Sequence, residues 1–147
     1  MMGLKRGMNR KKAVGIVLGA AVLILALLGL QLLLARTDAS TREGRIAFLQ
    51  KLGWEADPES EEHRSCLLSE EPDAVLTAYN RMQKAQGCDL SRHLGERCEI
   101  YSYRLTNYPD SGHTVLATLY VQGRRIIAGD IHSTALDGFM HALKAAH

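Results

Sequence analysis

The most polar compact cluster in the sequence is Gly129-Asp130-Ile131-His132-Ser133, at the end of a strand-like run. A carboxylate and an imidazole two residues apart on a strand share one face, as general-base or metal chemistry requires of such a pair. His63-x-x-Cys66 is a second pairing, and His141 lies beyond, among six histidines in all. Zinc sites need three or four ligands at set spacings, and no third and fourth ligand stands in register with either pair. His-Glu-x-x-His, Gly-x-Ser-x-Gly and Ser-x-x-Lys are absent, and no glycine loop precedes a helix to cradle phosphate. Asp130 and Ser133 equally suit capping of a following helix, which is the preferred reading. The enzyme reading that survives is a small metal-dependent hydrolase using Asp130, His132 and Asp137. No motif calls for a cofactor.

Cys66, Cys88 and Cys98 are the three cysteines. The count is odd and low, so the chain is no disulfide scaffold. Cys88 and Cys98 are the best-spaced pair for a single bridge, while small, partly buried thiols are the simpler reading.

The element that places these residues is Ala13 to Ala35, AVGIVLGAAVLILALLGLQLLLA, uncharged with Gln31 as its one strongly polar residue. At about 1.5 Å rise per residue such a helix spans roughly 34 Å, against about 30 Å of bilayer hydrocarbon. The pattern predicts a membrane span over 13–35. Lys5, Arg6, Arg10, Lys11 and Lys12 precede it with no acid among them, whereas charges balance just after it. The positive-inside rule therefore keeps residues 1–12 cytoplasmic and sends the C-terminal part out of the cytoplasm, at the plasma membrane. A cleaved signal peptide, the rival reading, has an apolar core of only about 7–15 residues. Gly15-x-x-x-Gly19 offers a helix-pairing face for a weak homodimer.

Beyond a short polar link at 36–40, residues 41–147 make one domain of ordinary size. With five bases in the tail, the remainder carries thirteen bases against all sixteen acids, a net of −3. That balance argues against nucleic acid as a partner.

Ser40 and Glu43 have capping-box spacing for a helix carrying Ile46, Phe48, Leu49 and Leu52, stopped by Gly53 with Trp54 closing it. Short strands are read at 54–57 and 63–68. A helix from a first-turn Pro72 runs to about Gln86, and 89–94 adds a turn of helix. Three strands follow as a meander, 97–107, 114–122 and 124–131, with turns at Asp110 and at Gln122-Gly123. Thr134 and Asp137 repeat the capping box ahead of a final helix striped by Leu136, Phe139, Met140 and Leu143. The expected fold is α+β: a transmembrane helix, then an antiparallel three-strand meander packed by about three helices.

Pairing about those turns sets Tyr101 opposite Leu119, Tyr103 opposite Ala117 and Leu105 opposite Val115. It also sets Leu119 opposite Ile126 and Ala117 opposite Ala128, all on a core face. The reverse face carries Ile100, Leu116, Tyr120 and Ile127 with Arg104 and Arg125. An apolar centre rimmed by guanidiniums has the composition of an interaction surface; a second core layer is the alternative.

YNRMQKAQGCDLSRHLGE (Tyr79–Glu96), the strands after it and GDIHSTALDGFMHAL (Gly129–Leu143) together resemble a bacterial family of single-span membrane proteins. That family is uncharacterised and catalogued only as a domain of unknown function. The likeness covers 41–147 and implies a bacterial, membrane-anchored, extracytoplasmic module. It transfers no activity and no catalytic residue. Without an acid–base or nucleophile constellation, the expectation is a non-catalytic module binding a protein or peptide of the cell envelope.

Overall fold

A computed structural model of the chain describes residues 10–34, 37–109 and 112–144, with side chains of the first helix described as far as Leu28. It divides into two compact units, Met1–Arg36 and Thr37–His147. In the first, helix α1 runs Arg10–Leu34. Over Arg10–Leu28 it is long and apolar enough to cross a membrane, with a mean hydropathy of 2.2. The expected span began at Ala13; residues 1–9 of the tail and Ala35 lie outside the described residues.

The second unit is built on one antiparallel sheet of five strands in sequential order. They are β1 Glu62–Leu67, β2 Arg97–Arg104, β3 Val115–Gln122, β4 Arg125–Ser133 and β5 Met140–Ala142. Two helices serve it, α2 Arg42–Lys51 and α3 Ala74–Ala85, with single 3₁₀ turns at Pro58–Ser60 and Leu90–Arg92. The fold is α+β, but the sheet has two strands more than the expected meander. One comes from the early strand, since β1 joins β2. The region at 54–57 contributes only a bridge between Ala56 and Leu105.

The other comes from the C-terminal stretch, where the expected helix does not form. Ser133 N–H donates to the Phe139 carbonyl and Gly138 N–H to that of Ala135, so the chain doubles back and β5 pairs along Asp130–His132. The 3–4 spacing of Leu136, Phe139, Met140 and Leu143 is helical in number only. Leu136 is fully exposed while Leu143 is buried. Gly138 weakens a helix at its centre, and the open edge of β4 takes the backbone hydrogen bonds instead.

Residues 37–40, expected as a link, belong to the folded unit. Ala39 is fully buried and its N–H donates to the Arg124 carbonyl. The cap of α2 falls one residue later than expected: Thr41 Oγ1 accepts from Gly44 N–H at 3.1 Å, and Ser40 turns to Asp38. A side chain at position 44 would put a Cβ 1.8 Å from the Asp38 carbonyl oxygen, so glycine is required for this approach. In α3 the cap is Asp73, whose carboxylate accepts from Leu76 N–H, and Pro72 lies ahead of it rather than in the first turn.

The register of β2 on β3 matches the expectation, with Tyr101 opposite Leu119 and Tyr103 opposite Ala117. That of β4 does not. Gln122 pairs with Arg125, moving the tight turn to Gly123-Arg124, and a bulge at Ile127 shifts the rest. Leu119 then faces Gly129 and Ala117 faces Ile131. Ile126 still packs with the α2 layer and Ile127 still lies on the other face, but Ala128 crosses to that face.

The main core lies between the sheet and α2, from Leu49, Trp54, Tyr103, Ala117, Leu119 and Ile131. Leu119 is fully buried at the centre of the middle strand. Leu119→Ala is expected to cost about 2–5 kcal/mol in urea denaturation; a loss under about 1 kcal/mol would remove it from the core.

Candidate functional site

Directly opposed residues of a ladder share a face, so the reverse face can be read as rows across the strands. One row is Arg64, Ile100, Tyr120 and Ala128, and beside it Cys66 stands opposite Cys98. All of these but the exposed Arg64 lie under α3 and the Leu90–Arg92 turn, in a second core layer with Leu68, Leu76, Tyr79, Leu90 and Ile127. Ile100 and Ile127 are 2% and 7% exposed. The apolar centre of the expected binding surface is therefore covered.

Its other members scatter. Leu116 is half-buried in an outer row with Arg104, His132 and Met140. Arg104 is spoken for by Asp57 at 2.5 Å, and Arg125 is exposed beside the β3–β4 turn. The six residues do not form one surface, because α3 sits on half of them, Ile100, Tyr120 and Ile127.

A concavity lies on the outer side of α3. A cleft of about 280 Å³ opens between α3 and the turn after it, lined by Pro72, Leu76, Asn80, Arg81, Lys84 and Leu90 with Thr77, Ser91 and Leu94. Leu76 and Leu90 join its apolar wall to the core layer beneath. Asn80 fixes the far wall, donating to Asp89 at 3.0 Å and accepting from Leu90 N–H at 2.7 Å. Hydrogen bonds from Ser91 and Asn80 hold the Asp89 carboxyl down to about 2, so it stays anionic and pre-set. Arg81 and Lys84, one helical turn apart and both exposed, line the cleft, Lys84 with its ammonium 3.9 Å from the Asp89 carboxylate.

The far end of α3 is pinned by amides. Gln83, fully buried, donates to the Gly129 carbonyl and accepts from Gly129 N–H, both at 2.9 Å, as a neighbouring strand residue would. Gln86 adds a bond to the same carbonyl and accepts from Leu143 N–H. Two side chains thus continue the ladder where β5 stops.

One residue on, Asp130 is 2% exposed and accepts from the Tyr79 hydroxyl at 2.6 Å, with His132 Nδ1 2.7 Å from its other oxygen. It caps no helix, since none follows among the described residues. Tyr79 is pushed far above the usual phenol range by burial and by the Asp130 charge, so it remains a donor. The hydrogen bond to Asp130 raises the His132 imidazole against the effect of burial. Among the described residues, no three of His, Cys, Asp and Glu come together to hold a metal ion.

A family model for Domain of unknown function (DUF4830) matches residues 48–131, more than half the chain. The chain belongs to that family. No curated protein and no solved structure matches it. The DUF4830 match takes in α3, the cleft and Asp130, and stops one residue short of His132 and ahead of β5.

In this DUF4830 member the Asp130–His132 pair gives a pH signature. His132 has a folded pKa above the ordinary 6.5 or so. Its contribution to stability is therefore full below about pH 6.5 and lost as pH rises through the folded value. In Asp130→Asn, the His132 ring protons should titrate at a lower pH by NMR. An unchanged midpoint would mean that Asp130 does not set it.

Proposed function

We propose that this protein is a membrane-anchored module, with its folded unit outside the cytoplasm, that binds a protein or peptide of the cell envelope without catalysis. The observation that carries the reading is the cleft on α3. An apolar wall of Leu76 and Leu90 beside Arg81 and Lys84 suits one apolar side chain flanked by carboxylates. The surrounding domain is net acidic, so the local cations select where such a segment seats. The apolar helix α1 supplies the anchor, and the basic tail the orientation.

Peptides selected from a random library on the full chain in nanodiscs should carry an apolar residue next to Asp or Glu. They should lose at least tenfold affinity, roughly 1.4 kcal/mol, for Arg81→Glu/Lys84→Glu, with the unfolding midpoint unchanged. Selected peptides that bind that variant equally well would refute the cleft. Protease added to intact cells should remove a C-terminal tag; protection until the membrane is broken would reverse the orientation.

The Asp130–His132 hydrogen bond favours a second reading, a small hydrolase with the imidazole as base. Hydrolysis of ester or peptide substrates by the full chain, lost in His132→Gln but not in Arg81→Glu/Lys84→Glu, would replace the binding reading with this one.

A further inference from the structure

The register of β1 on β2 sets Cys66 directly opposite Cys98, with both side chains on the sheet face under α3. Directly opposed residues of an antiparallel pair have Cα atoms about 4.5–5.5 Å apart, inside the roughly 4.4–6.8 Å that a disulfide spans. At that separation a bridge does not require the two strands to move apart or together. Both sulfurs are free thiols, as is Cys88. Cys88 belongs to the connection after α3, outside the β1–β2 ladder, so the pair with the better sequence spacing is not the pair the fold opposes.

We propose that Cys66 and Cys98 are a redox pair that a small disulfide or a thiol–disulfide oxidoreductase converts to a cross-strand disulfide. Cys66 is half-buried and Cys98 only 2% exposed, which orders the steps. The Cys66 thiolate attacks the donor disulfide, forming a mixed disulfide and expelling one donor thiolate. Cys98, deprotonated, then attacks the Cys66 sulfur and expels the second. Two protein thiols and one donor disulfide thus become one protein disulfide and two donor thiols. Burial, with Cys66 and the Glu99 charge, pushes the Cys98 thiol up to about 11, so the second step draws on a small thiolate fraction at neutral pH.

The position gives the bond a consequence. Residues 68–96 lie between the end of β1 and the start of β2, and they carry α3 and the cleft. The ladder continues past the pair through Leu67 opposite Arg97 and the Leu68 N–H bond to the Glu96 carbonyl. A Cys66–Cys98 bond closes the neck of this excursion. It also fixes β1, an edge strand whose residues are nearly all exposed.

Full-length protein in nanodiscs, treated with oxidised glutathione, should lose two hydrogens in mass. Digestion should yield a Cys66–Cys98 linked peptide, with Cys88 still open to alkylation. The unfolding midpoint should rise by at least about 10 °C over the reduced form, and Cys66→Ala should abolish that rise. In Cys98→Ala the first step should stop at one glutathione on Cys66; in Cys88→Ala bridging should be unchanged. A bridge that uses Cys88, or glutathione retained on Cys66 of the unaltered chain without closure, would overturn the proposal.

Discussion

Replacing Glu61 by alanine is expected to remove about 3–5 kcal/mol from the folded domain, because it strands a buried guanidinium. Arg45 is 3% exposed, with all three nitrogens engaged. Nη2 lies 2.9 Å from Glu61, Nη1 donates to the Ala39 carbonyl at 2.9 Å and Nε to the Tyr103 hydroxyl at 2.7 Å. The Tyr103 hydroxyl in turn donates to Glu61, and the guanidinium sits 3.5 Å above the centre of the Tyr101 ring. Without the carboxylate, one buried positive charge has only neutral partners. Glu61→Gln keeps an acceptor and should cost less. The double change Arg45→Met/Glu61→Leu should recover most of the loss, since an apolar pair of similar bulk needs no compensation. Urea denaturation at neutral pH measures all three.

Acid should imitate the Glu61 change. Burial pushes this carboxyl up, but hydrogen bonds from Tyr103 and Arg45 and the Arg45 charge outweigh it and leave it below the usual glutamate value. A depressed folded pKa contributes stability that is full above the unfolded value, about 4.5, and lost as pH falls through the folded one. The unaltered domain should therefore weaken on acidification below about pH 4.5, and Glu61→Gln should weaken less steeply. Equal slopes would assign the acid sensitivity to other carboxylates.

This network shows where sequence reading stops. The α2 stripe of Ile46, Leu49 and Leu52 was legible from its spacing. Nothing local marks Arg45 beside them as buried, because its partners Glu61 and Tyr103 arrive from other elements. The β2–β3 register was equally legible, since alternating side chains and one turn determine it. The β4 register turned on a bulge at Ile127, a one-residue event with no glycine or proline to announce it. The final strand was missed because a short amphipathic run has no secondary structure of its own, and β4 supplied an open edge. For the same reason the reverse face was half readable. Its apolar residues were identified, but α3 carries no mark of which sheet face it will cover, so the cleft on its outer side had no signal in sequence. The spacing of Asp130 and His132 marks them as a pair, whereas nothing local to Tyr79 marks it as their partner.

Trp54→Ala is expected to cost about 3–5 kcal/mol and to act first on the last strand. Trp54, the sole tryptophan, is 8% exposed and follows the left-handed Gly53 that ends the α2 region. Its indole stacks on Tyr108 with ring centres 5.6 Å apart, and its Nε1–H donates to the Leu143 carbonyl at 2.6 Å. Tyr108 stacks in turn on Phe139 at 5.0 Å and meets His141 Nε2 through its hydroxyl at 3.0 Å. β5 has only three residues, too few for backbone pairing alone to hold it, and this column of rings fastens it to the body of the sheet. Trp54→Phe keeps the stacking but leaves the Leu143 carbonyl unpaired, so it should cost less, about 1–3 kcal/mol. Because the variants lack the only indole, far-ultraviolet circular dichroism must follow their unfolding. Amide exchange at Met140–Ala142 should accelerate in Trp54→Ala well before exchange at Tyr101–Tyr103 does. Simultaneous acceleration in both places would mean that the indole supports the whole core, and that β5 is no separate, weaker edge.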